Sequence, residues 1–172
     1  MGRDSAGGLS STDTAAPGGE STVTPSAILS QLNVANTAEI QLGTLVAKQA
    51  SSRQVQELAR KLAADHAKNR QELRALAQKL NVSLIPSQGG EVKAGTGFPP
   101  DLQGKTGPDF DQAFVQHEIE DHEANIEKIR NQLLPAVQDQ QIRAYLQQTV
   151  SDMEAHLAAL QRVSQQVGGR AS

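Results

Sequence analysis

The chain has 172 residues and a formal net charge of −3, with three Phe, one Tyr, no Trp and no Cys. The missing cysteine excludes a disulfide framework, a thiol nucleophile and Cys-ligated zinc or iron–sulfur centres. The acidic balance argues against an electrostatic nucleic-acid binder, no run nears the ~20 apolar residues of a membrane span, and a core so poor in aromatics must be built from Leu, Ile, Val and Ala, which favours helices.

Residues 1–26 include nineteen Gly, Ser, Thr, Ala or Pro, and their large apolar residues are Met1, Leu9 and Val23. Such a stretch buries too little surface to offset its ordering entropy, so a disordered tail is expected. It has no apolar core of the kind a signal peptide carries. Low-complexity leaders of this type often follow a removed signal, which points to a periplasmic or otherwise exported protein; Met1 as the native start would make it cytoplasmic.

Four amphipathic segments follow, each stepping alternately by three and four. The first carries Leu32, Ala35, Glu39, Leu42 and Val46, opens at Pro25-Ser26, and predicts a helix over 27–50. The second carries Val55, Ala59, Leu62, His66, Asn69, Leu73, Leu76 and Leu80 and predicts a helix over 52–80, with Ser51 or Ser52 as N-cap. Six glycines and four prolines between Leu80 and Asp109 then forbid a continuous helix, so residues 81–107 are expected to form a long irregular crossover. The third segment carries Val115, Ile119, His122, Ile126, Ile129 and Leu133 over 108–134, entered through Gly107-Pro108 and broken by Pro135. The fourth, over 138–167 with Asp139 as cap, carries Ile142, Leu146, Thr149, Met153, His156, Leu160, Val163 and Val167. Gly168-Gly169 stops it, leaving 168–172 as a disordered end. Short, long and short connections between seamed helices predict an all-α fold: an antiparallel four-helix bundle with ferritin-like wiring over residues 27–167.

Polar residues interrupt the seams. Glu39, His66 with Asn69, His122 and His156 place one metal-competent side chain per helix at a core position near mid-helix. An unpaired buried carboxylate costs several kcal/mol and an unpaired imidazole roughly 1–3 kcal/mol. One divalent cation held by three neutral imidazoles and a carboxylate would satisfy all four, in a donor set suited to zinc and also open to iron, copper or nickel. At ~1.5 Å per residue from the nearer turn, Glu39 and His66 differ in height by roughly 4–5 Å, and His122 and His156 by roughly 6 Å. A hydrogen-bonded polar core without metal is the competing reading. His117 points away from His122 and is read as a surface residue. Glu118 and Asp152 each lie four residues before a seam histidine; solvated carboxylates are the simpler reading, an extra ligand or a partner to that histidine the other. The basic face of the second helix is read as solvated and Tyr145 as a core tyrosine.

These residues also carry a resemblance. Glu39-Ile-Gln-Leu-Gly-Thr-Leu-Val-Ala-Lys-Gln-Ala, Ser52-Arg-Gln-Val-Gln-Glu-Leu-Ala, Asp65-His66, Leu76-Ala-Gln-Lys-Leu-Asn-Val-Ser-Leu-Ile-Pro86, Phe110-Asp111-Gln-Ala-Phe114, His122 and His156-Leu157 occur in order. Over about residues 27–165 the chain resembles an uncharacterised bacterial ferritin-like family of exported proteins, often labelled outer-membrane proteins. The resemblance implies the bundle fold and export, and no settled activity. Di-iron bundles place a Glu three residues before each of two histidines; Ile119 and Met153 stand there in this chain, so iron oxidation of the ferritin type is not expected.

The resulting expectation is an exported, non-enzymatic bundle that binds one transition metal, zinc favoured, at Glu39, His66, His122 and His156, for metal buffering, sensing or stress. One metal is expected, not two, because the positions for bridging carboxylates are apolar. The alternative is a metal-free structural or stress-related interaction module; a metallo-hydrolase or oxidase with an open coordination position is the weakest reading. Buried neutral histidines further predict stability that falls as pH drops below ~6.5.

Overall fold

A computed structural model describes residues 24–85 and 97–168. Residues 1–23 of the tail expected over 1–26, the middle of the crossover (86–96) and residues 169–172 lie outside the described residues, whereas Thr24, Pro25 and Ser26, counted in that tail, cap and open the first helix. Helix α1 spans Pro25–Gln49. It starts two residues before the predicted boundary because Thr24 Oγ1 accepts the Ala27 N–H at 3.1 Å and Pro25 suits the first turn.

Helix α2 spans Arg53–Lys79, with Ser52 in the N-cap position but no capping bond from its hydroxyl. The capping role expected of Ser51 or Ser52 falls instead to a residue sixty positions away. The buried Asp111 carboxylate accepts the Ser51 N–H at 2.9 Å, the Ser51 hydroxyl at 2.7 Å and the Ser52 N–H at 2.6 Å. A carboxylate is also favoured there by the positive end of the α2 dipole.

Helix α3 spans Gly107–Lys128 and does not stop before Pro135 as predicted. It continues through a π-helical turn, Ile129–Leu133, into a last helical turn, Leu134–Ala136. Within the wider turn the Leu134 N–H reaches back to the Ile129 carbonyl, and the extra residue gives the Pro135 ring room that a regular α-helix denies it. Helix α4, Gln140–Gly168, is capped as predicted: Asp139 Oδ1 accepts the N–H groups of Gln141 and Ile142 at 2.8 and 3.0 Å.

α1 packs against α2, α3 against α4, and α2 against α4. The core divides into two apolar clusters. One gathers Leu42, Val46, Val55, Leu62, Phe110, Phe114 and Leu160; the other gathers Ile28, Leu73, Ile126, Ile142, Leu146 and Met153. Chain order then sets direction. α1 and α4 run from the second cluster to the first, α2 and α3 from the first to the second, so each hairpin is antiparallel. The α2–α3 connection joins opposite ends of the bundle. At one end the Ile85 N–H donates to Ser30 Oγ at 2.7 Å; at the other, Leu102 is buried and the Phe98 ring stands edge-on to Phe110 at 5.0 Å. No strand occurs among the described residues.

The α1–α2 contact is close enough to test. A Cβ on Gly43 would lie 2.7 Å from the Ala59 carbonyl oxygen and 3.0 Å from the Ala63 Cβ. Gly43→Ala must therefore push two helix backbones apart, which costs about 1–3 kcal/mol and exceeds the helix-propensity gain. Asp111→Ala, which leaves three donors at the α1–α2 turn without their acceptor, should cost about 3 kcal/mol. Both variants should melt several degrees below the parent in calorimetry; an unchanged Tm for Asp111→Ala would show that the clamp does not hold the turn.

Candidate metal centre

Between the two apolar clusters lies a polar layer. α1 contributes Asn36 and Glu39, α2 Asp65, His66 and Asn69, α3 Glu118 and His122, and α4 Thr149 and His156. The three seam histidines converge here. His66, His122 and His156 are 6%, 0% and 5% exposed, and one nitrogen of each lies within 4.8 Å of the other two.

Their outward nitrogens determine what the inward ones are. His66 Nδ1–H donates to Asn36 Oδ1 at 2.9 Å. The amide of Asn36 is oriented in turn, because its Nδ2 donates to Asn69 Oδ1 at 2.8 Å and the Tyr145 hydroxyl donates to the same oxygen. Asn69 Nδ2 passes the chain on to Thr149 Oγ1 at 3.1 Å. His122 Nδ1–H donates to the backbone carbonyl of Glu118 at 2.8 Å. His156 Nε2–H donates to Asp65 Oδ2 at 2.9 Å. A neutral imidazole carries one N–H. With that proton facing outward on each ring, His66 Nε2, His122 Nε2 and His156 Nδ1 present bare lone pairs to one another. His66 Nε2 is buried without a partner among the described residues. His122 Nε2 and His156 Nδ1 face each other at 3.3 Å, close to the roughly 3.3–3.4 Å that separates two nitrogens bound at ~2.0–2.1 Å to a tetrahedral zinc.

Glu39 does not join this group of donor atoms. Its carboxyl turns to Glu118 and Asp121, where burial and then the Asp121 charge push it up to about 7. Burial and the Glu39 charge likewise raise the Glu118 carboxyl well above the ordinary carboxylate range. Glu118, read from sequence as a solvated carboxylate, is 1% exposed, and its Oε2 lies 3.6 Å from His122 Nδ1. Asp152 remains half-buried and accepts from Gln148 Nε2 at 2.9 Å. His117 bonds Asp101 at 2.9 Å, away from the cluster. On α2, Arg53, Lys61 and Lys68 pair with Glu57, Asp65 and Glu72 one turn on, as expected of a solvated face.

Two participants were not predicted from spacing. Asp65, next to His66 in sequence, points about 100° away from it on the helix and so escapes a seam pattern. Asn36 sits three residues before Glu39, in phase with the α1 seam, and that signal was readable. A cavity of about 40 Å³ adjoins the centre, lined among others by Asn36, Glu39, His66, Asn69, Asp121 and His156.

Residues 10–163 match the family described as a domain of unknown function, DUF4142, and the chain belongs to it. Among solved structures it is similar to a crystal structure of a DUF305 protein from Streptomyces coelicolor, described as secreted. The identity is 12% and the TM-score 0.66, over 83% of this chain and 93% of that one. At that identity the likeness is one of fold. No curated protein matches the chain.

The pH profile of the metal-free protein follows from the two kinds of buried group. Burial, then the neighbouring histidines, lower His66 to about 3, and burial and His156 lower His122 to about 4. Below the ordinary 6.5 the unfolded chain binds these protons and the folded one does not, so stability falls toward acid by about 1.4 kcal/mol per pH unit for each. Glu39 and Glu118 act with the opposite sign. Above their ordinary 4.5 the unfolded chain releases protons that the folded one keeps, so stability falls as pH rises. The two effects offset between about 4.5 and 6.5. The predicted onset of acid loss near 6.5 therefore moves down to about 4.5, where the carboxyls are protonated in both states. Thermal melts should be nearly level from pH 4.5 to 6.5, fall steeply toward pH 3, and decline again above 6.5; a steady fall beginning at pH 6.5 would show that the carboxyls do not hold their protons.

Proposed function

We propose that this member of the DUF4142 family is an exported helical bundle that binds one transition-metal ion, zinc by preference, between His66, His122 and His156, for metal buffering, sensing or a metal-stabilised stress role. The observation that carries this reading is the inward lone-pair set. Three imidazoles with their N–H groups spent on outward acceptors offer three lone pairs that a single cation can share. A metal-free polar core would hold the lone pairs of His122 Nε2 and His156 Nδ1 face to face at 3.3 Å, and would need a donor such as a cavity water for His66 Nε2, whose loss of a partner costs roughly 1–3 kcal/mol. The outward acceptors Asn36, Glu118 C=O and Asp65 are the kind of partner that fixes the tautomer of a ligating histidine and raises its basicity.

Three neutral nitrogens, of which His122 Nε2 and His156 Nδ1 already stand at the spacing of two tetrahedral zinc ligands, favour zinc, with copper, nickel and iron as the competing ions. Glu39 lines the cavity beside His66 and His156 and serves as the fourth donor when it leaves Glu118; a water held in the cavity is the other candidate. Export rests on the sequence resemblance and the fold shared with a protein described as secreted. No described helix is long and apolar enough to cross a membrane.

Purified, untagged protein should take up about one equivalent of zinc by elemental analysis, with a Tm that rises on zinc addition near pH 7.5 and much less at pH 5. His66→Ala, His122→Ala and His156→Ala should each weaken binding at least tenfold, and His117→Ala should leave it intact. Glu39→Gln should weaken binding only if Glu39 is the fourth donor. Absence of uptake after supplementation with zinc, copper, nickel and iron would leave the metal-free module as the reading, and two equivalents at these residues would refute a mononuclear site.

A further inference from the structure

We propose that the groove between α2 and α4 is the route by which a hydrated divalent cation reaches the three histidines, with Asp65 and Asp152 at its mouth, so that the metal exchanges with solvent instead of being sealed in as the bundle folds. This rests on the metal-binding reading and adds how the site is loaded. The inner cavity beside the histidines and an outer groove of about 260 Å³ share four lining residues: Asp65, Asn69, Asp152 and His156. The shared wall makes these residues the threshold between solvent and the centre. Asp65 stands there with its side chain 37% exposed while its Oδ2 holds His156.

The charges along the route favour a cation at each stage. The inner cavity is lined by the carboxyls of Glu39, Asp65, Asp121 and Asp152 and by no Lys or Arg among the described residues. In the outer groove, Lys61 is tied to Asp65, and Lys68 lies 3.8 Å from Glu72. Asp152 carries no ion pair among the described residues, since its neighbour there is the neutral Gln148 amide. An acidic path ending in a cluster of acids would not by itself mark a site. Here it ends at His66 Nε2, an unpartnered nitrogen on a side chain that also lines the cavity. The cavity exceeds the ~10–15 Å³ that one water needs, so an arriving ion can exchange its waters one at a time for carboxylate and amide oxygens before reaching nitrogen.

Stopped-flow loading of the metal-free full chain with Zn²⁺ or Co²⁺, and release into excess chelator, separates access from affinity. Asp152 touches none of the three histidines in the hydrogen-bond pattern, so changing it should alter loading and not the ligand set. Asp152→Asn should slow loading about 3–10-fold and flatten its dependence on salt, and Asp152→Arg should slow it more than tenfold, with release rates within about twofold of the parent. Lys68→Glu, which adds negative charge to the outer groove, should speed loading, a gain that misfolding cannot mimic. Glu123→Gln, on a distant exposed face, should change nothing. Loading rates for Asp152→Arg and Lys68→Glu equal to the parent, or changes confined to release, would overturn the route while leaving the metal centre standing. A parent protein that takes up no metal would overturn both.

Discussion

The bundle is organised by a constraint at its middle: nine polar side chains from four helices meet between two apolar clusters, seven of them buried and Glu39 and Asp65 half-buried, and must satisfy one another. Their outer atoms do so by ordinary hydrogen bonds, through the Tyr145–Asn69–Asn36–His66 chain on one side and the Asp65–His156 bond on another. Those bonds have a consequence for the centre. Each one spends a ring proton outward and so decides which nitrogen faces inward bare. The chemistry of the site is thus set by the groups around the rings as much as by the rings themselves.

Convergence of three rings from three helices requires that the helices hold their heights, and the ends of the bundle supply that. The Asp111 carboxylate ties the start of α3 to the α1–α2 turn. It is flanked in sequence by Phe110 and Phe114, both wholly buried in the adjoining cluster. The Phe-Asp-x-x-Phe element is therefore a structural clamp, although its composition of one acid among aromatics would equally suit a binding motif. At Gly43 the α1–α2 pair closes to a distance that leaves no room for a Cβ. The other end relies on the π turn, which keeps α3 helical past Pro135 and brings Ile129 and Leu133 into the second cluster.

The carboxyl pair is the least expected part of the layer. A half-buried Glu39 set against a fully buried Glu118 beside an imidazole is tolerable only if protons or a cation offset their charge. Glu118 lies on the Nδ1 side of His122, opposite to the nitrogen that faces the other rings. From there it influences the centre through the ring rather than by direct contact with whatever the three nitrogens hold. Asp65 stands in a similar relation to His156, with the difference that it is partly open to water. Burial raises it, and the hydrogen bonds from Lys61 and His156 outweigh that and keep it below its ordinary value.

Much of the architecture was legible in residue order, because helical periodicity, capping residues and glycine–proline punctuation are local properties. The four helices, the long crossover, the Asp139 cap and the three seam histidines all follow from spacing within one element. What spacing could not supply was any relation between elements. Ser52 occupies the N-cap position, yet the acceptor is Asp111, sixty residues on. Glu39 is in phase with the seam, yet its carboxyl meets Glu118, which the same periodicity left among solvated residues. Asp65 is out of phase with His66, yet it bonds His156 across the bundle. Helix phase tells which side of a helix a residue occupies to within a quarter turn, whereas a hydrogen bond is decided by a few tenths of an ångström between chains whose relative height and rotation are set only by packing. The sequence by itself therefore determined the helices and the seam residues Glu39, His66, Asn69, His122, Thr149 and His156, whereas the tertiary structure decided that Asn36, Asp65 and Glu118 join them, which of them bond to one another and which nitrogens are left free.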